Sequence, residues 1–184
     1  MKVPVRSIAL GSMLLISTLV SGQERTVQCR IVDSKSGLPL PATVSVRAEE
    51  GGRVELIGSQ DQVTYLEKTR WYVDSEFTIS TGEQIVYVEI RRGPETLPLN
   101  EVIDLTGVVS ATREFRIERW IDMKSRGFMS GDSHMHLPEA KSAQLQMRAE
   151  DLQVANLLTS DFTDEAINFT GRLDPASTEN AQIY

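Results

Sequence analysis

The chain has 184 residues, of which 40% are hydrophobic and 24% are charged, and its formal net charge is −7. These values are typical of a soluble globular protein of one domain, or of one domain and part of another. The sequence has no basic patch interleaved with aromatic residues. An acidic surface repels phosphate backbones, so we predict that nucleic acid is not a partner.

The first 22 residues have the plan of a secretory signal peptide. Lys2 and Arg6 precede an uncharged apolar run, which ends in small residues at Ser21 and Gly22. The run is shorter than the roughly 20 apolar residues that span a bilayer. We therefore predict cleavage after Gly22 and a secreted or periplasmic protein without membrane contact, the alternative being an uncleaved signal anchor. Cleavage would bring the net charge to −9, because Lys2 and Arg6 are the only charged residues removed.

The single cysteine, Cys29, excludes a disulfide within the chain. It lies in the alternating segment TVQCRIVD, which predicts a small buried side chain in a strand. An intermolecular disulfide is the alternative.

The pattern of residues 23–122 predicts a mainly β fold, an antiparallel β-sandwich domain. Short apolar runs alternate with turn clusters rich in glycine and proline, which is typical of sandwiches. The predicted strands are TVQCRIVD, TVSVRA, RWYVDSEFTIS, QIVYVEIRRG, EVIDLTG and REFRIERW.

The sequence pattern of residues 123–184 predicts a strand–helix–strand unit. GFMSGDSHMH is extended, EAKSAQLQMRAEDL is helical with Glu150 and Asp151 in solvent, and QVANLLT is a strand buried on both faces of a parallel sheet. A second helix is predicted to begin in SDFTDEAINF. Its candidate N-caps are Ser160, Asp161 and Thr163.

The only two histidines, His134 and His136, lie one residue apart in SGDSHMH. Side chains alternate along a strand, so both imidazoles would lie on one face, about 7 Å apart, where they could bind one divalent metal. Both are predicted to lie near the carboxyl end of the strand, where sites of open α/β sheets and β/α barrels are found. Asp132, two residues before His134 and on the same face, could be a ligand or could orient an imidazole by accepting its free N–H. Asp161, after the next strand, is the candidate third ligand. In the alternative interpretation the histidines are ordinary residues and Asp161 is a helix N-cap.

The segment ERWIDMKSRGFMSGDSHMHL resembles the entry to the catalytic domain of the CehA/McbA family of the polymerase-and-histidinol-phosphatase (PHP) superfamily. CRIVDSKSGLPLPATVSVR similarly resembles a carboxypeptidase-regulatory-like, transthyretin-like sandwich. The PHP-like pattern is carried by Trp120, Gly127, Phe128, Ser130, Gly131, Asp132, His134 and His136.

The resemblance implies a metal-dependent hydrolase of small-molecule esters or phosphoesters that uses zinc, manganese or iron in a distorted seven-stranded β/α barrel. His134 and His136 would be ligands from its first strand. At the end of the second strand, Asp161 stands where the family has the histidine of Thr-Asp-His. The 62 residues of 123–184 are too few for a barrel of about 200 residues or more.

We therefore predict that residues 123–184 are the truncated start of an incomplete barrel, and that the site is inactive unless a separate C-terminal chain completes it. The alternative is a secreted, non-catalytic binding or structural sandwich with a vestigial metal motif.

Overall fold

The computed structural model describes residues 23–169, except 60, 66–67, 137–139, 159 and 163–166. The side chains at 61, 63–65, 68, 136, 140–141 and 157–169 also lie outside the description. The predicted signal peptide, 1–22, lies outside the described residues as well. Among the helices that are described, none is long and apolar enough to cross a membrane.

The fold is mainly β, as predicted, and its strands form two large sheets. The first sheet has four strands in the order β3-β6-β1-β9. Their bounds are Arg25–Asp33 (β1), Val54–Ile57 (β3), Glu76–Thr81 (β6) and Ser110–Ile117 (β9). β1 pairs antiparallel with β6 but parallel with β9, so this sheet departs from the purely antiparallel arrangement that we predicted.

The second sheet has five strands in the order β4-β5-β2-β7-β8, and all of its pairings are antiparallel. The bounds are Ala42–Ala48 (β2), Asp61–Tyr65 (β4), Lys68–Val73 (β5), Ile85–Arg91 (β7) and Leu99–Asp104 (β8). The sequence patterns had not predicted β3 or β4.

The two sheets share one hydrophobic core, as the layers of a sandwich do. Its side chains come from alternate positions of strands in both sheets, such as Ile31 and Phe115 from the first and Val44 and Ile90 from the second, all fully buried. Phe115 also stacks on Phe77, with 6.4 Å between the ring centroids.

RWYVDSEFTIS is two strands, where one was predicted. β5 ends at Val73 in the second sheet and β6 begins at Glu76 in the first. The two-residue corner at Asp74 and Ser75 lets Trp71 and Val73 on one side, and Phe77 and Ile79 on the other, face the same core. The period of two continues through this corner, and for that reason the sequence pattern did not reveal it.

The chain after the sandwich contains strand β10 (Gly131–His136), helix α1 (Ala140–Ala149) and strand β11 (Val154–Leu158). β10 and β11 pair in parallel. Val154 is 42% exposed while Ala155 is buried, so the prediction that this strand is buried on both faces was wrong for Val154.

The predicted second helix was also wrong. Ser160–Phe162 (β12) and Ile167–Phe169 (β13) form an antiparallel pair instead, with Asp161 opposite Asn168. Asp161 is therefore a strand residue, not a helix N-cap. A capping residue permits a helix but does not impose one, since tertiary pairing overrides such local preferences.

Helix α1 contacts both parts of the fold. Ala143 and Met147 pack with Met135 of β10, whereas Leu145 and Ala149 pack on Tyr72, whose ring lies on the outer face of β5. Each pair has the i, i+4 spacing that places side chains on one stripe of a helix. The helical pattern of the sequence predicted α1 but not that it packs through two stripes.

Cys29 is a buried free thiol in β1, as predicted, and is 4% exposed. Burial in apolar surroundings raises its pKa from an ordinary value of 9.0 to about 12, more than the nearby backbone hydrogen bond and Arg113 lower it. Because the thiolate is the reactive form, we expect the native thiol to react with a disulfide reagent at pH 8 at least about a hundredfold more slowly than the unfolded chain. Equal rates in the two states would contradict this burial and favour the intermolecular disulfide.

Candidate functional site

The predicted metal motif lies on β10, the first strand of the parallel pair, and His136 is its last residue. His136 pairs with Leu158, the last residue of β11, so the carboxyl ends of both strands meet at one edge. Parallel strands joined by a crossover commonly hold their binding sites at this edge. The backbone thus places the two histidines where the sequence predicted them, at the end of the strand.

A β-bulge interrupts β10 at Ser133 and His134. Asp132 lies opposite Ala155 and Met135 lies opposite Leu157, so β10 has one residue more than β11 over this step. Bulges re-aim side chains and are over-represented next to active sites. This bulge changes the regular alternation from which we argued that Asp132 shares a face with the histidines.

Two local contacts set the direction of His134, which is exposed. Its backbone N–H donates to Asp132 Oδ1 at 2.8 Å, within the bulge. The next residue, Met135, is 8% exposed and packs with Ala143, Met147 and Ala155. Met135 therefore points into this small core, whereas His134, within the bulge, is exposed.

The side chains of His136 and Asp161 lie outside the described residues, so the proposed three-ligand set has no measured geometry. Among the side chains that are described, no group of three histidine, cysteine, aspartate or glutamate residues is close enough to hold a metal ion. The described backbone does place Asp161 three residues beyond Leu158, the partner of His136. Imidazole and carboxylate donors are the ligand types that zinc, manganese and iron accept.

Hydrogen bonds of Ser130 hold the amino end of β10 in place, a role that the sequence did not predict. Its backbone N–H donates to Gln153 Oε1 at 2.7 Å, and its Oγ donates to the Asp151 carbonyl at 2.8 Å. Its carbonyl accepts the N–H groups of Gln153 and Val154. These bonds hold the start of β10 against the turn that leads into β11.

A partly buried ion-pair network, which we call the Asp151 cluster, joins this turn to the sandwich. The cluster consists of Asp151, Arg92, Arg119 and Glu95. Asp151 pairs with both arginines, and Arg119 also pairs with Glu95 at 2.7 Å. The side chains of Asp151 and Arg92 are only 14% and 11% exposed. The prediction that Asp151 lies in solvent was therefore wrong.

The backbone segments at Gly93 and at Glu150 and Asp151 lie in close contact beside the Asp151 cluster. Asp151 has φ of 58°, a left-handed conformation that aspartate and asparagine adopt more readily than most residues. Gly93 also has a positive φ, and a Cβ there would overlap the carbonyl oxygen of Glu150. Glu150, also predicted to be in solvent, accepts a hydrogen bond from the Tyr72 hydroxyl at 2.9 Å.

The opposite charges in the Asp151 cluster offset the cost of removing these groups from water. Burial lowers the pKa of Arg119, but its hydrogen bond to Asp151 and the charges of Asp151 and Glu95 outweigh that effect and raise the pKa above its usual range. Arg92, counted as a whole residue, is 9% exposed. Its Nε and Nη1 have no hydrogen bond to a described partner, although Nη1 forms the ion pair with Asp151 Oδ1. The carboxylate of Asp151 is thus the counter-charge on which Arg92 depends.

No local sequence pattern predicted the Asp151 cluster. Arg92, Glu95, Arg119 and Asp151 are spread over 60 positions of ordinary charged sequence. Glu95 and Arg119 pair with each other, and the docking of α1 adds Asp151, in the turn that follows it, to both arginines. Comparison with protein families, with curated proteins and with solved structures finds no match for this chain.

Proposed function

We propose that this chain is the N-terminal part of a secreted or periplasmic metal-dependent hydrolase of ester or phosphoester bonds, of the PHP-like kind that its sequence resembles. The observation that carries the proposal is the position of His134 and His136 at the carboxyl end of β10, with His134 in a bulge and β11 alongside in parallel. Strand ends of this type are the usual location of ligands in β/α folds.

The metal, zinc, manganese or iron, would be held by His134, His136 and Asp161. When bound, such an ion lowers the pKa of a water molecule and polarises the bond to be hydrolysed. The chain's own contribution is to fix the ligands. Asp132 accepts the backbone N–H of His134, and Met135 anchors the strand between the two histidines.

We expect metal binding without turnover from this chain alone. Catalytic zinc sites have three protein ligands and keep one position open, and PHP-like sites use more donors from later strands. The sequence offers no histidine beyond His134 and His136. The substrate of the completed enzyme would be a small ester or phosphoester, and a separate C-terminal chain would supply the remaining donors.

The proposal predicts zinc binding that depends on both histidines. We expect one zinc ion per chain in calorimetric titrations, and a loss of affinity of about tenfold or more in His134→Ala and in His136→Ala. Asp161→Asn is expected to weaken binding as well. Asp122→Asn, at an exposed aspartate before β10, is the matched control and should bind as the wild type does.

Two results would overturn this proposal. One is the absence of stoichiometric zinc binding, and the other is binding that neither histidine variant changes. The chain alone could hydrolyse a nitrophenyl ester or phosphate in a metal-dependent reaction that is lost in His136→Ala. That result would support the hydrolase proposal but refute the expectation that further donors are needed.

The second candidate function is a non-catalytic binding module built on the sandwich. It is favoured by the continuous core between the two sheets and by an open cavity on the five-stranded sheet. The two candidates differ in where ligand binding is lost: at β10 for the hydrolase, and at the cavity for the binding module.

A further inference from the structure

A cavity of about 940 Å³ opens on the five-stranded sheet where β2 separates from β5. The two strands pair only over Ala42–Val44 and Trp71–Val73, whereas β2 continues beside β7 to Ala48. At the point of separation, Ser45 Oγ donates to the Thr69 carbonyl at 3.2 Å. The volume is within the range of about 300–1,000 Å³ that is usual for small-molecule sites.

The strand register places polar and aromatic side chains on one face of this cavity. Arg47 lies opposite Tyr87, Ser45 lies opposite Glu89, and Asn100 follows opposite Glu89 on the edge strand. Alternate residues of a strand share a face, so these side chains form neighbouring rows across three strands. All five residues line the cavity.

Basic side chains outnumber acidic ones in the lining, although the whole chain has a net charge of −7. The lining contains Arg47, Arg70 and Arg91 against Glu89 and Glu101. Glu89 is occupied by Arg91, which donates to it at 2.8 and 2.5 Å. With that pair cancelled, Arg47 and Arg70 remain against one lining carboxylate, Glu101, so the lining keeps one surplus positive charge. No ion pair of Arg47 or Arg70 is found among the described residues.

Arg47 is held in position although it forms no ion pair with any carboxylate among the described side chains. Its guanidinium carbon lies 3.8 Å from the centroid of the Tyr87 ring, a cation–π arrangement. The Tyr87 hydroxyl in turn donates to Glu49 Oε1 at 3.1 Å, which fixes the ring. A stacked guanidinium keeps its N–H donors free at its edge, where they can bind an oxyanion in two-pronged fashion.

We propose that this cavity binds a small carboxylate of the sugar-acid class, with Arg47 and Arg70 donating to the carboxylate. Ser45 and Asn100 are placed to hydrogen-bond ring hydroxyls, and Val102, which is 61% exposed and lines the cavity, offers an apolar contact. The site goes beyond the metal proposal and is independent of it. It specifies the ligand class for the second candidate function, the binding module.

The test is a calorimetric titration of the full chain with glucuronate, glucose, acetate and inorganic phosphate. We expect glucuronate to bind at least about tenfold more tightly than glucose, which lacks the carboxylate, and than acetate, which lacks the ring. Raising the salt from about 0.01 M to about 0.15 M should weaken glucuronate binding, because exposed charges are then screened.

Matched variants locate the binding. Arg47→Gln and Arg70→Gln are each expected to weaken glucuronate binding about tenfold, and Arg47→Lys to have an intermediate effect. Arg116→Gln removes one exposed charge from the other sheet, where Arg116 pairs with Glu114, and should leave binding unchanged. His134→Ala should also leave it unchanged, which separates this site from the metal site.

Three results would overturn the proposal: no glucuronate binding by the wild-type chain, equal binding of glucose or phosphate, or unchanged affinity in both the Arg47→Gln and Arg70→Gln variants. Thermal melting of each variant establishes that it is folded. If the sugar-acid site fails while zinc binding persists, only the ligand class of the binding module is lost and the hydrolase proposal stands.

Discussion

Replacing Asp151 by asparagine is expected to lower the free energy of unfolding by about 3 kcal/mol, since removing one partner of a buried ion pair leaves the other charge uncompensated. The charge left in this case is that of Arg92, which is 9% exposed and pairs only with Asp151 among the described residues. Asparagine accepts the left-handed backbone of this position, so the substitution tests the charge and not the conformation.

The measurement is urea unfolding of the full chain, followed by circular dichroism and by tryptophan fluorescence, which comes from Trp71 in the core and from Trp120. The Trp120 indole donates to the Pro94 carbonyl at 2.9 Å, within the segment that carries Arg92 and Glu95. Its signal therefore reports on the neighbourhood of the Asp151 cluster as well as on global unfolding.

Asp74→Asn is the matched control for this experiment. Asp74 pairs with Arg148 of α1 at 2.9 Å, across the same contact between sandwich and helix, but both side chains are more than half exposed. Solvent screens such a pair, so a loss of at most about 1 kcal/mol is expected. If Asp151→Asn costs no more than Asp74→Asn, the Asp151 cluster does not stabilise the docking of α1.

Replacing Phe115 by alanine is expected to cost about 3–5 kcal/mol, the usual range for deleting a buried aromatic side chain. Phe115 is fully buried in the core between the sheets and stacks on Phe77, with an interplanar angle of 7°. It also lies on β9, the strand that joins β1 in parallel, with Phe115 opposite Ile31. The cavity left behind would weaken packing on both strands.

Phe128→Ala is the control, because it makes the same chemical change at a side chain that is 61% exposed. Exposed positions usually change stability by less than about 0.5 kcal/mol. Both variants are compared with the wild type by urea unfolding at equal protein concentration. A loss below about 1 kcal/mol for Phe115→Ala would mean that the two sheets do not depend on this side chain to close the core.

The Asp151 cluster bears on the proposed site as well as on stability. Asp151 and Ser130 lie at the same end of the parallel pair, and the Asp151 carbonyl accepts the Ser130 hydroxyl. The sandwich therefore holds the turn that begins β11, and that turn holds the start of β10. Through these bonds the sandwich supports the strand on which His134 and His136 lie.

The sequence by itself determined the features that depend on local pattern. Alternation of apolar residues predicted β1, β2, β7, β8 and β9. The helical spacing in EAKSAQLQMRAEDL and the apolar run QVANLLT predicted α1 followed by β11. Period is local because it follows from the geometry of a single strand or helix. The position of the two histidines at a strand end was predicted for the same reason.

The tertiary structure alone decided the features that depend on pairing. The corner at Asp74 and Ser75 preserves the period of two while the chain changes sheets, so no local signal marks it. The antiparallel pairing of β12 with β13 overrode a capping signal for a helix. Asp151 and Arg92 are 59 positions apart, and only the docking of α1 makes one the counter-charge of the other. Long-range contacts of this kind leave no trace in a window of sequence, because each partner by itself is an ordinary surface residue.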